Sequence, residues 1–237
     1  MFRIIMQNER LPVSGHYQAE RGRRYQSRFG PEAFGRRYQA DLYFRRHVAA
    51  SDTVLDFGCN DGVFLRWIDA GRRIGVEVNP AAREECEAAC LKEGIRIELH
   101  DDIGGVEDGI VDVVISNHCL EHTLTPYETL RQIHRVLRPG GKLVLVLPFD
   151  DWRSPIHRRW RPGDRDNHLF TWSPMNAGNL LTEAGFPVES AEHTRIALTR
   201  KLKPALDLFG DRTFLFAAGM LSRYRRRSEV YAVAYKS

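Results

Sequence analysis

The stretch VLDFGCNDGVFL, residues 54–65, decides how the rest of the chain is read. An apolar strand, Val54 to Phe57, runs straight into Gly58-Cys59-Asn60-Asp61-Gly62 and then into an apolar helical segment. A glycine-bearing turn at the carboxyl end of a buried strand is where open α/β sheets let a ligand come close to the backbone. The dinucleotide fingerprint GxGxxG is not met, because its third glycine falls on Val63 and the spacing here is GxNxG. Asp56 adds a carboxylate just before the turn. It would repel a diphosphate and attract an amino-acid ammonium group.

Outward from this turn, short β-type runs alternate with helical ones. TVLDF (53–57), RIGVEV (73–78), RIEL (96–99), VDVVIS (111–116) and KLVLVLP (142–148) read as strands. GVFLRWIDA (62–70), PAAREECEAACLKEG (80–94) and PYETLRQIHRVLRPGG (126–141) read as helices between them. The last carries a stripe of Leu130, Ile133, His134 and Leu137 and is stopped by Pro139-Gly140-Gly141. Such alternation implies right-handed crossovers and an α/β fold with a doubly wound, mostly parallel sheet. A further helix at 173–186 has Ser173 as N-cap, Pro174 at its first position and Gly185 as its stop. EVYAVAYK (229–236) is an alternating strand suited to an antiparallel sheet edge. Residues 1–50 are polar, Arg- and Tyr-rich, and read as one or two helices packed before a main domain at 51–237.

Two further carboxylates stand at strand ends. Glu77 closes the second strand, 21 residues after Asp56, where an acidic side chain can accept both hydroxyls of a ribose. HDDI (100–103) follows the third strand. An aspartate there can accept from an adenine amino group while Ile103 packs on the ring, and Asp101 and Asp102 both fit; a solvated turn is the plain alternative.

In this order and spacing, VLDFGCNDG, GVEVNP, HDDI, VDVVISNHCLEHTLTP and VLRPGGKLVLVLP resemble the class I S-adenosylmethionine-dependent methyltransferases, of the small-molecule and glycan type. The resemblance covers roughly residues 50–190 and implies a seven-stranded, Rossmann-like methyltransferase sheet with an antiparallel C-terminal strand. It implies S-adenosyl-L-methionine as cofactor. Asp56 and the turn Gly58, Cys59, Asn60, Gly62 would hold the methionine end, Glu77 with Val78 the ribose, and Asp101 or Asp102 with Ile103 the adenine. Ser116-Asn117-His118 would close over the methionine moiety. The family's central turn glycine is Asn60 here, the residue other than glycine best able to adopt positive φ.

Methyl transfer to a hydroxyl needs positioning and a base. His118, nearest the expected cofactor, and His168, in the polar loop DRDNHLFTWSP, are the catalytic candidates. His122 belongs to LEH and reads as a packing or capping residue. Asp164, Asp166, Asn167, His168 and Trp172 offer the polar groups and aromatic face that a polyhydroxylated acceptor requires. Arg153, Arg158, Arg159 and Arg161, with Trp152 and Trp160, suit an anionic or sugar acceptor or a solvated lid. Asp150 and Asp151 lack a recognisable ligand set, so no metal site is assigned.

The bulk numbers set bounds. The 237 residues suffice for one sizeable α/β core. Net charge is +4, and although arginines cluster, they alternate with acids, which argues against a nucleic-acid partner. Cys59, Cys86, Cys90 and Cys119 form no disulfide or zinc pattern, so a reduced, cytoplasmic setting is the simplest expectation. The insertion at about 198–228 carries TFLFAAGML between basic flanks. It suits a pocket cover, a homodimer contact, or peripheral contact with the inner membrane face. The preferred function is O-methylation of a sugar, nucleotide-sugar or polysaccharide intermediate. An aromatic or quinone-like acceptor, and a non-catalytic cofactor-binding regulator, are the alternatives.

Overall fold

Strand β1 (Thr53–Phe57) is buried from Val54 to Phe57 because neighbours cover it on both edges and both faces. The computed structural model describes residues 10–27, 35–149, 160, 167–195, 202–225 and 228–237. Seven strands form one sheet in the order β3-β2-β1-β4-β5-β7-β6. The others are β2 (Arg72–Val76), β3 (Glu98–His100), β4 (Val111–Asn117), β5 (Leu137–Pro148), β6 (Val188–Thr194) and β7 (Glu229–Tyr235). Pairing is parallel from β3 through β5, and β7 runs antiparallel to both β5 and β6. The doubly wound, mostly parallel sheet expected from the sequence is therefore present. The chain builds outward from β1 to β3, then restarts at β4 on the other side of β1. The crevice between the carboxyl ends of β1 and β4 is thus the switch point at which such sheets bind ligands.

Alternation along the strands splits the core into two layers. Leu55, Phe57, Ile74, Val114 and Leu145 face α5 (Pro126–Val136) and α6 (Pro174–Glu183). Val54, Val113, Val144 and Val146 face Tyr43, Phe44, Phe64 and Leu65 on the other side. Those come from α3 (Val63–Trp67) and from α2 (Arg36–Gln39), which continues as a π-helical turn over Ala40–Phe44. The N-terminal region also contains α1 (Ala19–Gln26), and α4 (Pro80–Glu93) links β2 to β3.

The sequence boundaries shift at several elements: the helix expected over 62–70 ends at Trp67, and the strand expected over 96–99 runs Glu98–His100. The third crossover helix ends at Val136, so Leu137 to Gly141 are extended rather than helical. The Gly140 N–H donates to the Lys236 carbonyl at 2.7 Å and the Lys236 N–H to Gly141 at 2.9 Å, so pairing with the chain's last residues outweighs one more helical turn. β2 ends at Val76, which leaves Glu77 just beyond the strand. Helix α6 begins as expected. Ser173 and Asn176 form a reciprocal capping box, Pro174 takes the first position, and Gly185 follows with φ 94°.

The segment between β6 and β7 is α7 (Lys203–Arg225), kinked at Gly210. Phe214, Ala218 and Ser222 are its buried side, and Leu208, Phe209, Phe216 and Met220 are exposed. Among the described residues, no helix is long and apolar enough to cross a membrane.

Candidate active site

The site starts at Asp56. Its Cα pairs with Gly75 on β2 and Ile115 on β4, so the carboxylate is locked within the sheet's central strand. It is 1% exposed, and its Oδ2 has no hydrogen-bond partner. Burial pushes the Asp56 carboxyl well above the usual range, and the nearby Glu77 carboxylate and Cys86 thiol add to this; Arg36 opposes it. A buried, unsatisfied carboxylate at a strand end suits a cationic ligand group.

The turn after Asp56 is held by sterics and by Glu77. Gly58, Asn60 and Gly62 all have positive φ, at 81°, 50° and 72°. A Cβ on Gly58 would lie 2.4 Å from Cys119 Sγ, and one on Gly62 would lie 2.4 Å from Cys86 Sγ, so both positions exclude a side chain twice over. Gly58 and Cys59 donate their N–H groups to the Val76 carbonyl at 2.8 and 3.1 Å, which ties the turn to the end of β2. Glu77 is 8% exposed, and burial raises its pKa although backbone N–H groups oppose this. Its Oε2 accepts from Asn60 N–H at 2.9 Å and its Oε1 from Asn79 N–H at 2.8 Å. One carboxylate therefore joins the β1 turn to the start of α4. Each oxygen keeps a second lone pair with which to accept a ligand hydroxyl. Val78, next in the chain, is half-buried.

Past β3 the two aspartates separate. Asp101 is half-exposed and ion-paired with Arg10. Asp102 is turned in: Oδ1 accepts from Gly104 N–H at 2.7 Å and Oδ2 from Leu11 N–H at 3.2 Å. It caps the short turn that buries Ile103 at 1% exposure. At the tip of β4, Ser116 Oγ donates to the Phe57 carbonyl at 2.8 Å, tethering β4 to β1. Asn117 is half-buried. His118 has φ 50°, and its N–H donates to the Val146 carbonyl at 2.8 Å.

The N-terminal region packs over this edge, which sequence periodicity did not reveal. Gln26 of α1 and Asn60 exchange side-chain amide hydrogen bonds at 3.0 and 3.2 Å. Asn79 Nδ2 donates to the Gly22 carbonyl at 3.0 Å. Arg36 pairs with Asp61 at 2.6 Å, and both side chains are largely buried. These contacts join elements distant in sequence, so no local pattern marks them.

A second cluster lies beyond β4. His118 Nε2 is 3.2 Å from Glu229 Oε1, and its Nδ1 is 3.7 Å from Glu121 Oε1. Glu229 starts β7 and reaches this place because its register partner is Pro148 at the end of β5. Tyr43 donates its hydroxyl to Glu229 Oε2 at 2.7 Å. Glu121 is fully buried, and His122 Nε2 is 3.8 Å from its Oε1. The His122 ring meets His168 edge-on at 5.0 Å and Tyr17 at 5.5 Å. Burial, then the neighbouring His168, lowers the His122 pKa to about 4, so the ring is neutral at pH 7. His168 is held by its own strand of loop: Leu169 and Phe170 donate N–H groups to the Glu121 carbonyl at 2.9 and 3.4 Å.

Several sequence expectations change here. Trp172 is 5% exposed within the main core, so it does not offer a face to an acceptor. Its bridge to Phe149 draws it inward. His122 packs as expected, but beside both histidines read as catalytic. Part of the arginine content is tied down at the surface by intramolecular hydrogen bonds: Arg45 donates to the Trp67 carbonyl and Arg46 to the Tyr231 hydroxyl at 2.7 and 2.8 Å. Asp150, Asp151, Trp152, Arg153, Arg158, Arg159, Arg161, Asp164 and Asp166 lie outside the described residues.

The family model "Methyltransferase domain" matches residues 17–191, well over half of the chain. The chain belongs to the S-adenosylmethionine-dependent methyltransferases. The match begins within the N-terminal region that packs on the glycine turn. This methyltransferase is 31% identical over 163 residues to a probable S-adenosylmethionine-dependent methyltransferase of Mycolicibacterium smegmatis, covering 65% of this chain and 59% of that one. It is 26% identical over 163 residues to the human thiol S-methyltransferase TMT1B, covering 64% of each. The chain spans less than two thirds of the length of these curated relatives. Among solved structures, Haemonchus contortus phosphoethanolamine N-methyltransferase 2 in complex with S-adenosyl-L-methionine superposes with a TM-score of 0.65 at 16% identity. That superposition covers 94% of this chain and 58% of the other, and it shows a shared fold.

Proposed function

We propose that this chain binds S-adenosylmethionine across the carboxyl ends of β1, β2 and β3 and transfers its methyl group to a hydroxyl of a polar, sugar-like acceptor. The observation that carries the cofactor half is the buried Asp56 carboxylate, with one unsatisfied oxygen beside the Gly58–Gly62 turn. A cationic methionine moiety satisfies it. Glu77 would hold the ribose and Asp102, with Ile103 beneath, the adenine. Asp102 is favoured over Asp101 because it is the buried one. The bound cofactor supplies an electrophilic methyl group.

The acceptor half rests on the wall of imidazoles and carboxylates beyond β4. With Glu229 accepting the Nε2 proton of His118, Nδ1 is the nitrogen that would take the acceptor's hydroxyl proton. His118 is thus the proposed base, oriented by a carboxylate that Tyr43 fixes. His168 would position the acceptor. A polar wall of this kind suits a hydroxylated acceptor better than a flat aromatic ring.

Calorimetric titration with S-adenosylmethionine and S-adenosylhomocysteine, for the wild type and Glu77→Gln, tests the cofactor half. Micromolar binding that the variant weakens is expected, and a folded wild type that binds neither ligand overturns the proposal. Transfer of labelled methyl is then measured against nucleotide-sugars, glycans, phenols and alkyl thiols. Transfer confined to phenols or thiols would replace the hydroxylated-acceptor reading.

A further inference from the structure

Glu121, His122 and His168 bring one carboxylate oxygen and two imidazole nitrogens within 4.8 Å of one another. Glu121 and His122 share a single turn at Leu120–His122, and His168 arrives from a loop 46 residues later. The three are therefore assembled by the fold and not by adjacency. Backbone hydrogen bonds from Leu169 and Phe170 to the Glu121 carbonyl fasten that loop to the turn at this point.

We propose that Glu121, His122 and His168 form a binding site for one divalent transition-metal ion. Two neutral imidazoles and one carboxylate, leaving positions open for water or substrate, suit Zn²⁺, Mn²⁺, Co²⁺ or Fe²⁺ more than the harder Mg²⁺ or Ca²⁺. Two features beyond proximity support this. His122 Nδ1 lies 3.3 Å from the Asn167 carbonyl, and donation there sets the tautomer that leaves the Nε2 lone pair facing Glu121. Metal-binding histidines are oriented in the same way, by a second hydrogen bond through the other nitrogen. Glu121 is 0% exposed, and a dication is an effective counter-charge for a carboxylate held out of water among imidazoles.

The geometry is close to what a metal needs. Ligand atoms around a tetrahedral ion with bonds of about 2.1 Å are roughly 3.4 Å apart. Ring movement of about 1 Å, chiefly in the loop-borne His168, would bring the set to that spacing. The ion would stand next to His118, whose Nδ1 is 3.7 Å from the same Glu121 oxygen. Its open positions would bind an acceptor hydroxyl and lower that hydroxyl's pKa, so that His118 removes the proton more readily. This catalytic role rests on the methyltransfer reading; binding of the ion does not.

The test uses the untagged full chain, stripped with chelator and titrated with CoCl₂ and then ZnCl₂. One Co²⁺ per chain should bind with micromolar or tighter affinity and give ligand-field absorption bands that Zn²⁺ abolishes. His122→Ala and His168→Ala should each weaken Co²⁺ binding at least 10-fold and lose the bands. Glu121→Gln, more prone to unfold, is compared only where it still binds S-adenosylmethionine. Cofactor titration of every variant reports folding independently of the metal. A chain that binds S-adenosylmethionine but takes up no Co²⁺, or binds it equally well in the double histidine variant, overturns the proposal. Metal binding without any S-adenosylmethionine binding would instead overturn the methyltransfer reading and leave the metal site standing.

Discussion

Replacing Asp56 by asparagine should make the protein more stable and a poorer cofactor binder, and the two effects have one physical source. The Asp56 side chain is 1% exposed, has an Oδ2 without a partner, and has the buried Glu77 carboxylate as the largest nearby charge raising its pKa. Leaving a buried polar group unsatisfied costs about 1–3 kcal/mol, and more when it is charged. Asparagine keeps the shape and removes the charge, so a gain that reaches about 1–3 kcal/mol once Asp56 is ionised follows. For a chain of this size that is a rise of roughly 3–10 °C in Tm. Against the cofactor, the same change removes a charge-assisted hydrogen bond worth about 1.5–3 kcal/mol, or roughly a 10- to 150-fold weaker Kd. The pH dependence adds a second reading. Because the folded-state pKa is raised, the folded protein retains the Asp56 proton to higher pH than the unfolded chain does. Wild-type stability therefore declines as pH climbs from the ordinary carboxylate range to the raised value, and the variant lacks that decline. Its advantage should be small in acid and grow as pH rises toward the raised value. Scanning calorimetry of the ligand-free proteins from pH 4 to pH 8, with cofactor titration at pH 7, measures all of this. A variant less stable than the wild type at pH 7 would refute the reasoning, since it would mean that the folded protein stabilises the Asp56 charge. Unchanged cofactor affinity would refute the binding role.

Gly62→Ala forces a side chain into a φ of 72° with its Cβ 2.4 Å from Cys86 Sγ. Strain and overpacking together should cost about 2–4 kcal/mol, seen as a lower midpoint in urea unfolding. Arg36→Met breaks a 2.6 Å ion pair with Asp61 in which both side chains are mostly shielded. Removing one partner of a buried pair costs about 3–5 kcal/mol, while the additional Asp61→Asn change should recover much of it; a double-mutant cycle checks this. Glu229→Gln should lower kcat on the acceptor by about 10- to 100-fold. It should also shift the pH profile, with little change in cofactor affinity, because it acts through His118 Nε2 at 3.2 Å. An unaltered profile would remove Glu229 from the proton path.

The sequence alone was enough for the sheet and for the glycine turn that follows β1. Val54 to Phe57 leading into Gly58-Cys59-Asn60-Asp61-Gly62 specifies a buried strand, a positive-φ turn and a helix start through local chemistry, and the alternation that follows specifies parallel crossovers. Helix α6 was legible for the same reason, since its Ser173 cap and Pro174 are local signals. Tertiary structure decided what depends on meetings between distant segments. The end of α5 was settled by Lys236, which pairs with Gly140 and Gly141 from the far end of the chain. Trp172 turned inward on Phe149, and Asp102 rather than Asp101 was drawn into the fold by the Leu11 N–H. Glu229 and His168 reached His118 and Glu121 only because antiparallel β7 lies beside β5 and one loop is pinned to the Leu120–His122 turn. Strands and turns are written in neighbouring residues because backbone sterics and periodicity act over a few positions. The cluster of His118, Glu121, His122, His168 and Glu229 is not, because its charges and imidazoles converge through sheet register and loop anchoring, which no short stretch of sequence encodes.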